Sequence, residues 1–528
     1  MDMVLQMRFE FPVQFNMADY FLYHNLEEGR AEKTCLFYED ASWTYADAAS
    51  WSNRAGNALL ELGLEVEDRV LIALPDCPEF VWTWFGASRV GGVITMVNPL
   101  LPETDYEYYL DYTRARVAVI DESLVDAFLQ CTKTAKYLKH VLVVGDPEAL
   151  VVGSVIRFHS FEKMVSQMSD ECSRADTTRD DIAIWLFTSG STGKPKGAVH
   201  LHHDLPYNTE CYAKRVLGIT ENDLTLAVPK LFFGYATGTN LLFPFAAGGA
   251  TALFKERSTP QKMFEAIERY EPTILTSVPT MINSMLNLED GDAYDLSSLR
   301  MCLSAGEALP PELYERWVRK TGVEILDGIG SAEMFHIYIT NRPGDVKPGS
   351  LGRIVGGYEA KIVDGDGREL PAGEMGTLRV KGDSAALCYW QAHEQSKATF
   401  AGDWCTTGDQ FHVDEAGYYW YHGRTDEMLK VSGVFVSPVE IENCLLQHEA
   451  VMECAVIGHD PGDGLIKSKA FIVTRENFID GDALAQEIQD FVKQRLARYK
   501  YPRSIEFVSS LPKNDRGKID RKQLKKGV

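Results

Sequence analysis

The sequence predicts an α/β protein with a large N-terminal domain of mostly parallel sheets and helices, a β-rich subdomain inside it, and a small α+β C-terminal domain. Three observations carry this expectation. At 528 residues the chain exceeds what one hydrophobic core usually supports, so at least two domains are expected. Residues 1 to about 180 alternate helical patterns with short apolar runs, the mark of βαβ units. From about Gly349 the texture changes to short strands separated by Asp-Gly turns.

Taken in order, residues 45–62 have helical periodicity and lead to an apolar strand at 69–74. A helix near 79–90, a strand at 92–97 and another at 117–120 follow. Residues 182–187 form an apolar run resembling a buried strand, and 198–199 begin the next one. The alternation continues through 224–228, 250–254, 273–276 and 301–304. Runs at 360–367 and 376–380 read as hairpin strands. Beyond Met428, strands at 455–457 and 470–473 with a helix at 483–496 can fold separately. The domains are therefore placed at 1–425, with the β-rich subdomain about 349–425, and at 426–528.

Composition excludes several classes. Hydrophobic residues make up 45% and charged residues 24%, ordinary for a soluble globular protein. A net charge of −23 argues against a nucleic-acid or anionic-membrane surface, since a polyanion would need a local basic patch to outweigh the repulsion. The ten cysteines include no Cys-x-x-Cys pair, which points to reduced thiols, not a disulfide framework or zinc site. No signal-peptide pattern and no transmembrane-length run is present. A cytoplasmic protein is expected; whether it forms a homodimer is left open.

The most informative stretch is Thr188-Ser189-Gly190-Ser191-Thr192-Gly193-Lys194-Pro195-Lys196-Gly197. Glycines let backbone N–H groups approach an anion, hydroxyls donate hydrogen bonds, and lysines neutralise charge, which together suit a polyphosphate. A Gly/Ser linker is the bland alternative, but a strand beside the loop and two lysines in it count against that. The P-loop spacing fails because Pro195 stands five residues after Gly190, and the hydrolase elbow fails because Ser189, not Gly, stands two before Ser191.

Four further segments join this loop: Gly328-Ile329-Gly330-Ser331-Ala332-Glu333, Thr407-Gly408-Asp409, Gly423-Arg424-Thr425-Asp426, and 512–518 ending in Lys518. With these motifs in this order, nearly the whole chain resembles the adenylate-forming superfamily, which comprises acyl- and aryl-CoA ligases, peptide-synthetase adenylation domains and luciferases. Segments 230–235, 304–310, 331–337 and 428–433 are most similar to benzoate-CoA ligases. The resemblance implies two half-reactions. A carboxylate attacks the α-phosphate of Mg-ATP to give an acyl-adenylate and pyrophosphate; coenzyme A then displaces AMP. Preorganised cations and donors are the main lever, because both steps develop negative charge.

The resemblance also implies roles. Thr188, Ser189, Gly190, Ser191, Thr192, Gly193 and Lys196 hold the β- and γ-phosphates. Glu333 holds Mg²⁺, a hard cation that suits a carboxylate. Asp409 accepts the ribose hydroxyls with help from Arg424, and Gly306, Glu307, Ala308, Asp327, Gly328 and Ile329 line the adenine slot. Lys518 serves adenylation. Lys430 serves the thioester step, with Gly433 making room for coenzyme A. Asp426 is the hinge on which a mobile C-terminal domain presents first one face and then the other. The superfamily usually has an aromatic residue where Ile329 stands and threonine where Ala332 stands. Alanine cannot donate a hydrogen bond, so Ser331 or a backbone N–H is expected to meet the α-phosphate.

Phe233, Gly234, Tyr235, Ala236, Gly330, His336 and Ile337 are expected to line the acid pocket. Aromatic walls and small residues suit a flat ring, and a Tyr hydroxyl or His nitrogen can bond a substituent or the carboxylate. Phe232 reads equally well as core packing. The expected substrates are a small aromatic carboxylic acid, namely benzoate or a hydroxy- or amino-benzoate, with ATP and coenzyme A. The alternative is a stand-alone adenylating enzyme that loads a carrier protein.

Overall fold

The computed structural model describes residues 9–131, 133–145, 156–188, 194–431, 434–459, 466–513 and 519–526. Two large sheets dominate. In the first, Val93–Met96, Arg69–Ala73, Val117–Asp121, His140–Val144 and Arg157–Ser160 run parallel, joined at the Val93–Met96 side by β1 (Ile182–Thr188). β2 (Lys196–Leu201) returns antiparallel to β1 and in turn pairs with Cys388–Tyr389. The nearly unbroken apolar runs of these strands follow from burial on both faces: Val70, Ile72 and Ile94 share one core with the helix Pro78–Arg89, and Leu71, Ala73 and Ile120 share another with the helix Glu103–Thr113.

The second sheet has a parallel centre of Thr34–Tyr38, Ala250–Leu253, Leu224–Ala227, Ile274–Ser277, Met301–Ala305 and β3 (Ile325–Gly330). It closes on antiparallel β4 (Ile337–Thr340) and Arg353–Ile354 at one edge. One apolar core joins the two sheets; in it Phe85 and Phe245 stack at 5.5 Å with planes 10° apart. A smaller antiparallel sheet contains β5 (Trp404–Val413) and β6 (Tyr419–Arg424), matching the turn-rich region expected after Gly349.

After β6 the chain forms a hairpin, the helices Pro438–Leu445 and Asp482–Arg495, and a sheet of Val451–His459, Lys467–Thr474 and Ser504–Phe507. These elements bury their own core of Val436, Ile441, Val456, Ile472 and Ile488, so the C-terminal segment is a small α+β unit. No helix among the described residues is long and apolar enough to cross a membrane.

Candidate active site

The carboxyl ends of the parallel strands in both sheets point at one cavity of about 880 Å³, the location open α/β sheets favour for ligands. Thr188 ends β1, Lys196 opens β2, Ala305 ends the strand before Gly306, and Gly330 ends β3. All these residues line the cavity. So do Glu307, Ala308, Gly328, Ile329, Ser331, Ala332, Glu333, Asp409, Arg424 and Asp426, which the sequence scatters over 120 positions.

The charged end gathers four side chains from four elements. Glu333 sits on a short 3-10 turn, Ala332–Met334, and its Oε1 accepts a hydrogen bond from the Tyr389 hydroxyl at 2.5 Å. Lys196 Nζ lies 4.0 Å from the centroid of the same Tyr389 ring, a cation–π contact. Burial lowers the pKa of Lys196, with Glu333 pulling the other way. Asp409 is buried on β5, and Arg424 Nη1 on the paired strand β6 lies 3.4 Å from its Oδ1. Burial pushes the Asp409 carboxyl up to about 6, against the opposing pull of Arg424. Among the described residues no group of three or more His, Cys, Asp or Glu could hold a metal by itself. One carboxylate beside a lysine fits Mg²⁺ that brings most of its ligands as ATP phosphate oxygens. Bound there, Mg²⁺ would neutralise phosphate charge.

The opposite end is aromatic. Phe232, Phe233, Gly234 and Tyr235 form one wall, and Phe335, His336 and Ile337 the other. The His336 ring packs against Tyr212, Tyr235 and Phe243, with centroids 5.7, 5.2 and 4.7 Å away. Its Nε2–H donates to the Tyr235 carbonyl at 3.0 Å. Burial lowers its pKa to about 4, so the ring is neutral near pH 7. The remaining nitrogen, Nδ1, and the Tyr235 hydroxyl are buried without a hydrogen-bond partner among the described residues.

His336 is held there by backbone devices that the sequence does not announce. Phe335 adopts φ 67°, ψ −59°, and the His336 N–H bonds the Met334 carbonyl at 2.9 Å, forming a γ-turn that costs about 1–3 kcal/mol for a non-glycine residue. Space for the ring comes from Gly238, where a Cβ would stand 2.4 Å from His336 Cδ2. A Cβ on Gly330 would stand 2.5 Å from the His336 carbonyl oxygen, so close packing of β3 on β4 requires glycine there.

Other expected residues stand differently. Ala236 is fully buried in the turn Gly234–Thr237 and is not part of the cavity wall, while Phe232 is. Asp327 lies behind the wall. Burial pushes its carboxyl up to about 8, and the nearby Glu307 charge adds to this. Glu307 Oε2 accepts the Thr280 N–H and hydroxyl at 3.1 and 2.8 Å, tying the loop after Ala305 to the helix Pro279–Leu286. Ser189, Gly190, Ser191, Thr192, Gly193, Gly433 and Lys518 lie outside the described residues, as does the side chain of Lys430. Sequence reading missed Tyr389; its only local signal is a short aromatic pair, Tyr389-Trp390, 56 residues from Glu333.

A family model described as AMP-binding enzyme matches residues 23–390, and one for the AMP-binding enzyme C-terminal domain matches residues 440–518. The chain is similar to a benzoate–CoA ligase of Thauera aromatica, 44% identical over 516 residues that cover 97% of this chain and 96% of the relative. A 4-hydroxybenzoate–CoA/benzoate–CoA ligase of Rhodopseudomonas palustris is 35% identical over 97% of this chain and 94% of its own length. Among solved structures, the anthranilate CoA ligase AuaEII in complex with anthranoyl-AMP has a TM-score of 0.93 and 42% identity, with 98% of both chains covered. A benzoate CoA ligase from Burkholderia xenovorans LB400 has a TM-score of 0.89 and 40% identity, covering 97% of this chain and 99% of that one. With both family models matched in order and full-length relatives above 40% identity, the chain belongs to the AMP-binding enzyme family.

Proposed function

We propose that the protein is an AMP-forming aryl-CoA ligase that activates benzoate or a hydroxy- or amino-benzoate with ATP and then forms the aryl-CoA thioester. The observation that carries this reading is the single cavity with an apolar aromatic end and a charged end, joined along Gly328, Ile329, Gly330 and Ser331. A flat ring between Tyr235, Phe233 and His336 places its carboxylate toward the Glu333 and Lys196 cluster, where a phosphate would be met.

In this scheme Lys196 and the preceding loop neutralise the β- and γ-phosphates, and Glu333 is the protein ligand of Mg²⁺. Asp409 accepts both ribose hydroxyls, and Arg424 keeps its carboxylate charged. Ser331, whose hydroxyl is buried without a partner among the described residues, takes the α-phosphate contact that Ala332 cannot make. Gly306, Glu307, Ala308 and Ile329 cover the adenine. Lys518 stabilises charge as the carboxylate attacks phosphorus. Lys430 and Gly433 serve coenzyme A after the C-terminal domain turns at Asp426. The domain limits 1–425 and 426–528 belong to this proposal, supported by the separate C-terminal core.

Two features support a donor-bearing ring. Among the described residues His336 Nδ1 and the Tyr235 hydroxyl have no partner, so a hydroxyl or amino group on the ring would satisfy groups that an unsubstituted ring leaves unsatisfied. The resemblance to an enzyme solved with anthranoyl-AMP points the same way. All ten cysteines are unpaired, consistent with a cytoplasmic protein. The test is pyrophosphate release over benzoate, its hydroxy and amino derivatives, phenylacetate and fatty acids, each with and without coenzyme A. Aryl acids should be preferred and coenzyme A should convert the adenylate to thioester. AMP release that needs an added carrier protein would overturn the ligase reading.

A further inference from the structure

We propose that His200 and Asp204 form a buried positioning pair that aims the Ala332–Glu333 segment at the metal-bearing phosphates; this rests on Glu333 being the Mg²⁺ ligand. His200 sits on β2, four residues after Lys196, so the two side chains leave the same face of the strand. It is fully buried, as is Asp204 to within 1%. His200 Nε2 lies 2.6 Å from the Ala332 carbonyl oxygen and Nδ1 lies 2.8 Å from Asp204 Oδ2. That same Oδ2 also accepts the Leu201 N–H at 3.1 Å, and the second Asp204 oxygen lies 3.3 Å from His203 Nε2.

Both atoms facing the imidazole are acceptors. A neutral imidazole carries one proton and can donate to only one of them. The pair therefore holds two protons, one on Nε2 toward Ala332 and one between Nδ1 and Asp204 Oδ2. The Nε2–H bond holds the Ala332 carbonyl from the side of β2. It clamps the peptide carbonyl directly before Glu333, while the Ala386 N–H holds the Glu333 carbonyl at 2.8 Å and Tyr389 holds its carboxylate. Removing His200 frees one of these three anchors and lets the carboxylate swing off its aim. The same segment carries Ala332, which supplies no side-chain contact of its own, so backbone placement matters more here.

The test uses His200→Gln, Asp204→Asn and Glu333→Gln in the full-length enzyme. Gln can donate to Ala332 only by turning its carbonyl oxygen on Asp204. Asn keeps the shape, but with its amide oxygen taking the Leu201 and Nδ1 protons, Nε2 is left bare against the Ala332 carbonyl. Calorimetry with a non-hydrolysable ATP analogue, with and without Mg²⁺, is read beside thermal melting, ATP–pyrophosphate exchange and thioester formation from supplied benzoyl-adenylate. For His200→Gln, analogue binding with Mg²⁺ should weaken about 10–100-fold, with smaller losses for Asp204→Asn and changes under about threefold without metal or in the thioester step. Equal losses with and without Mg²⁺, or parallel losses in both half-reactions, would make the pair a folding brace and overturn the proposal. Should His200→Gln fail to fold, Asp204→Asn decides by the same comparison. If Glu333→Gln leaves the Mg²⁺ dependence intact, the metal assignment itself falls. If Glu333→Gln abolishes it and neither pair variant alters it, only the positioning proposal falls.

Discussion

The two ends of the cavity are built on opposite principles. The acid end is made of rings locked by backbone: a γ-turn at Phe335, two glycines that leave space for and pack against His336, and β3 pressed on β4. It contains no charge near neutral pH, since His336 is neutral there. The charged end, where the proposed function places the phosphates, is made of Lys196, Glu333, Asp409 and Arg424, brought from separate elements; Lys196, Glu333 and Arg424 are partly or fully open to solvent and Asp409 is buried. Under the proposed function this difference divides the work between the two ends. On that proposal, shape and buried polarity select the acid, while the charged cluster handles the step common to all acids.

If that division holds, variants at the phosphate end should change rate whatever the acid, and variants at the acid end should change selectivity. The largest effect is expected for Lys518→Ala, which should lower adenylate formation by about 10²–10³-fold or more, as expected for losing a group that stabilises transition-state charge. Thioester formation from supplied adenylate should be largely kept, measured by following coenzyme A consumption. Equal loss in both half-reactions would break the two-state picture. Asp426→Pro should show the reverse bias, impairing the thioester step more than pyrophosphate release.

Next is Gly238→Ala. Its Cβ would overlap the His336 ring, so we expect about 1–3 kcal/mol of destabilisation in denaturant melts together with a raised KM for the aryl acid and an unchanged KM for ATP. A change in ATP affinity instead would mean the two ends are coupled.

Smaller again is a pH effect confined to the nucleotide. Asp409 titrates near 6 in the fold, above its ordinary value of 3.8. The folded state therefore binds this proton more tightly than the unfolded chain. The stability contribution is full below about 3.8 and is lost as pH rises through about 6. Ribose hydroxyls need the ionised form, so KM for ATP should rise as pH falls below about 6, and Asp409→Asn should remove that inflection. The smallest effect is expected for Tyr235→Phe. Benzoate turnover should stay within about twofold, because the hydroxyl lost has no partner among the described residues, whereas a hydroxy- or amino-benzoate that uses it should lose about tenfold in kcat/KM.

Much of the fold was legible because it rests on local patterns. The strands at 69–74, 117–120, 224–228 and 301–304 and the helix at 45–62 appear as Arg69–Ala73, Val117–Asp121, Leu224–Ala227, Met301–Ala305 and Tyr45–Glu61. Apolar runs bounded by turn residues announce strands regardless of what they later pack against. Linear motifs were equally legible: Thr188, Lys196, Glu333, Asp409 and Arg424 do meet at one cavity. Reading failed where a role depends on orientation. Ala236 and Gly234 are two residues apart, yet only Gly234 reaches the wall. Tyr389, His200 and Asp204 belong to no nucleotide motif, and their parts emerge only when β2 and the strand Cys388–Tyr389 are laid beside the Glu333 turn.

By itself, then, the sequence determined the α/β class, a small C-terminal unit, the use of a nucleotide and the aromatic residues that line one end of the cavity, because periodicity and short motifs are written in consecutive residues. The tertiary structure alone decided which polar atoms are left unpaired at His336 and Tyr235, which carboxylates shift their titration, and which buried pair grips the backbone before Glu333. Those properties arise from burial and from contacts between residues 56 to 132 positions apart, for which a linear chain carries no local signal.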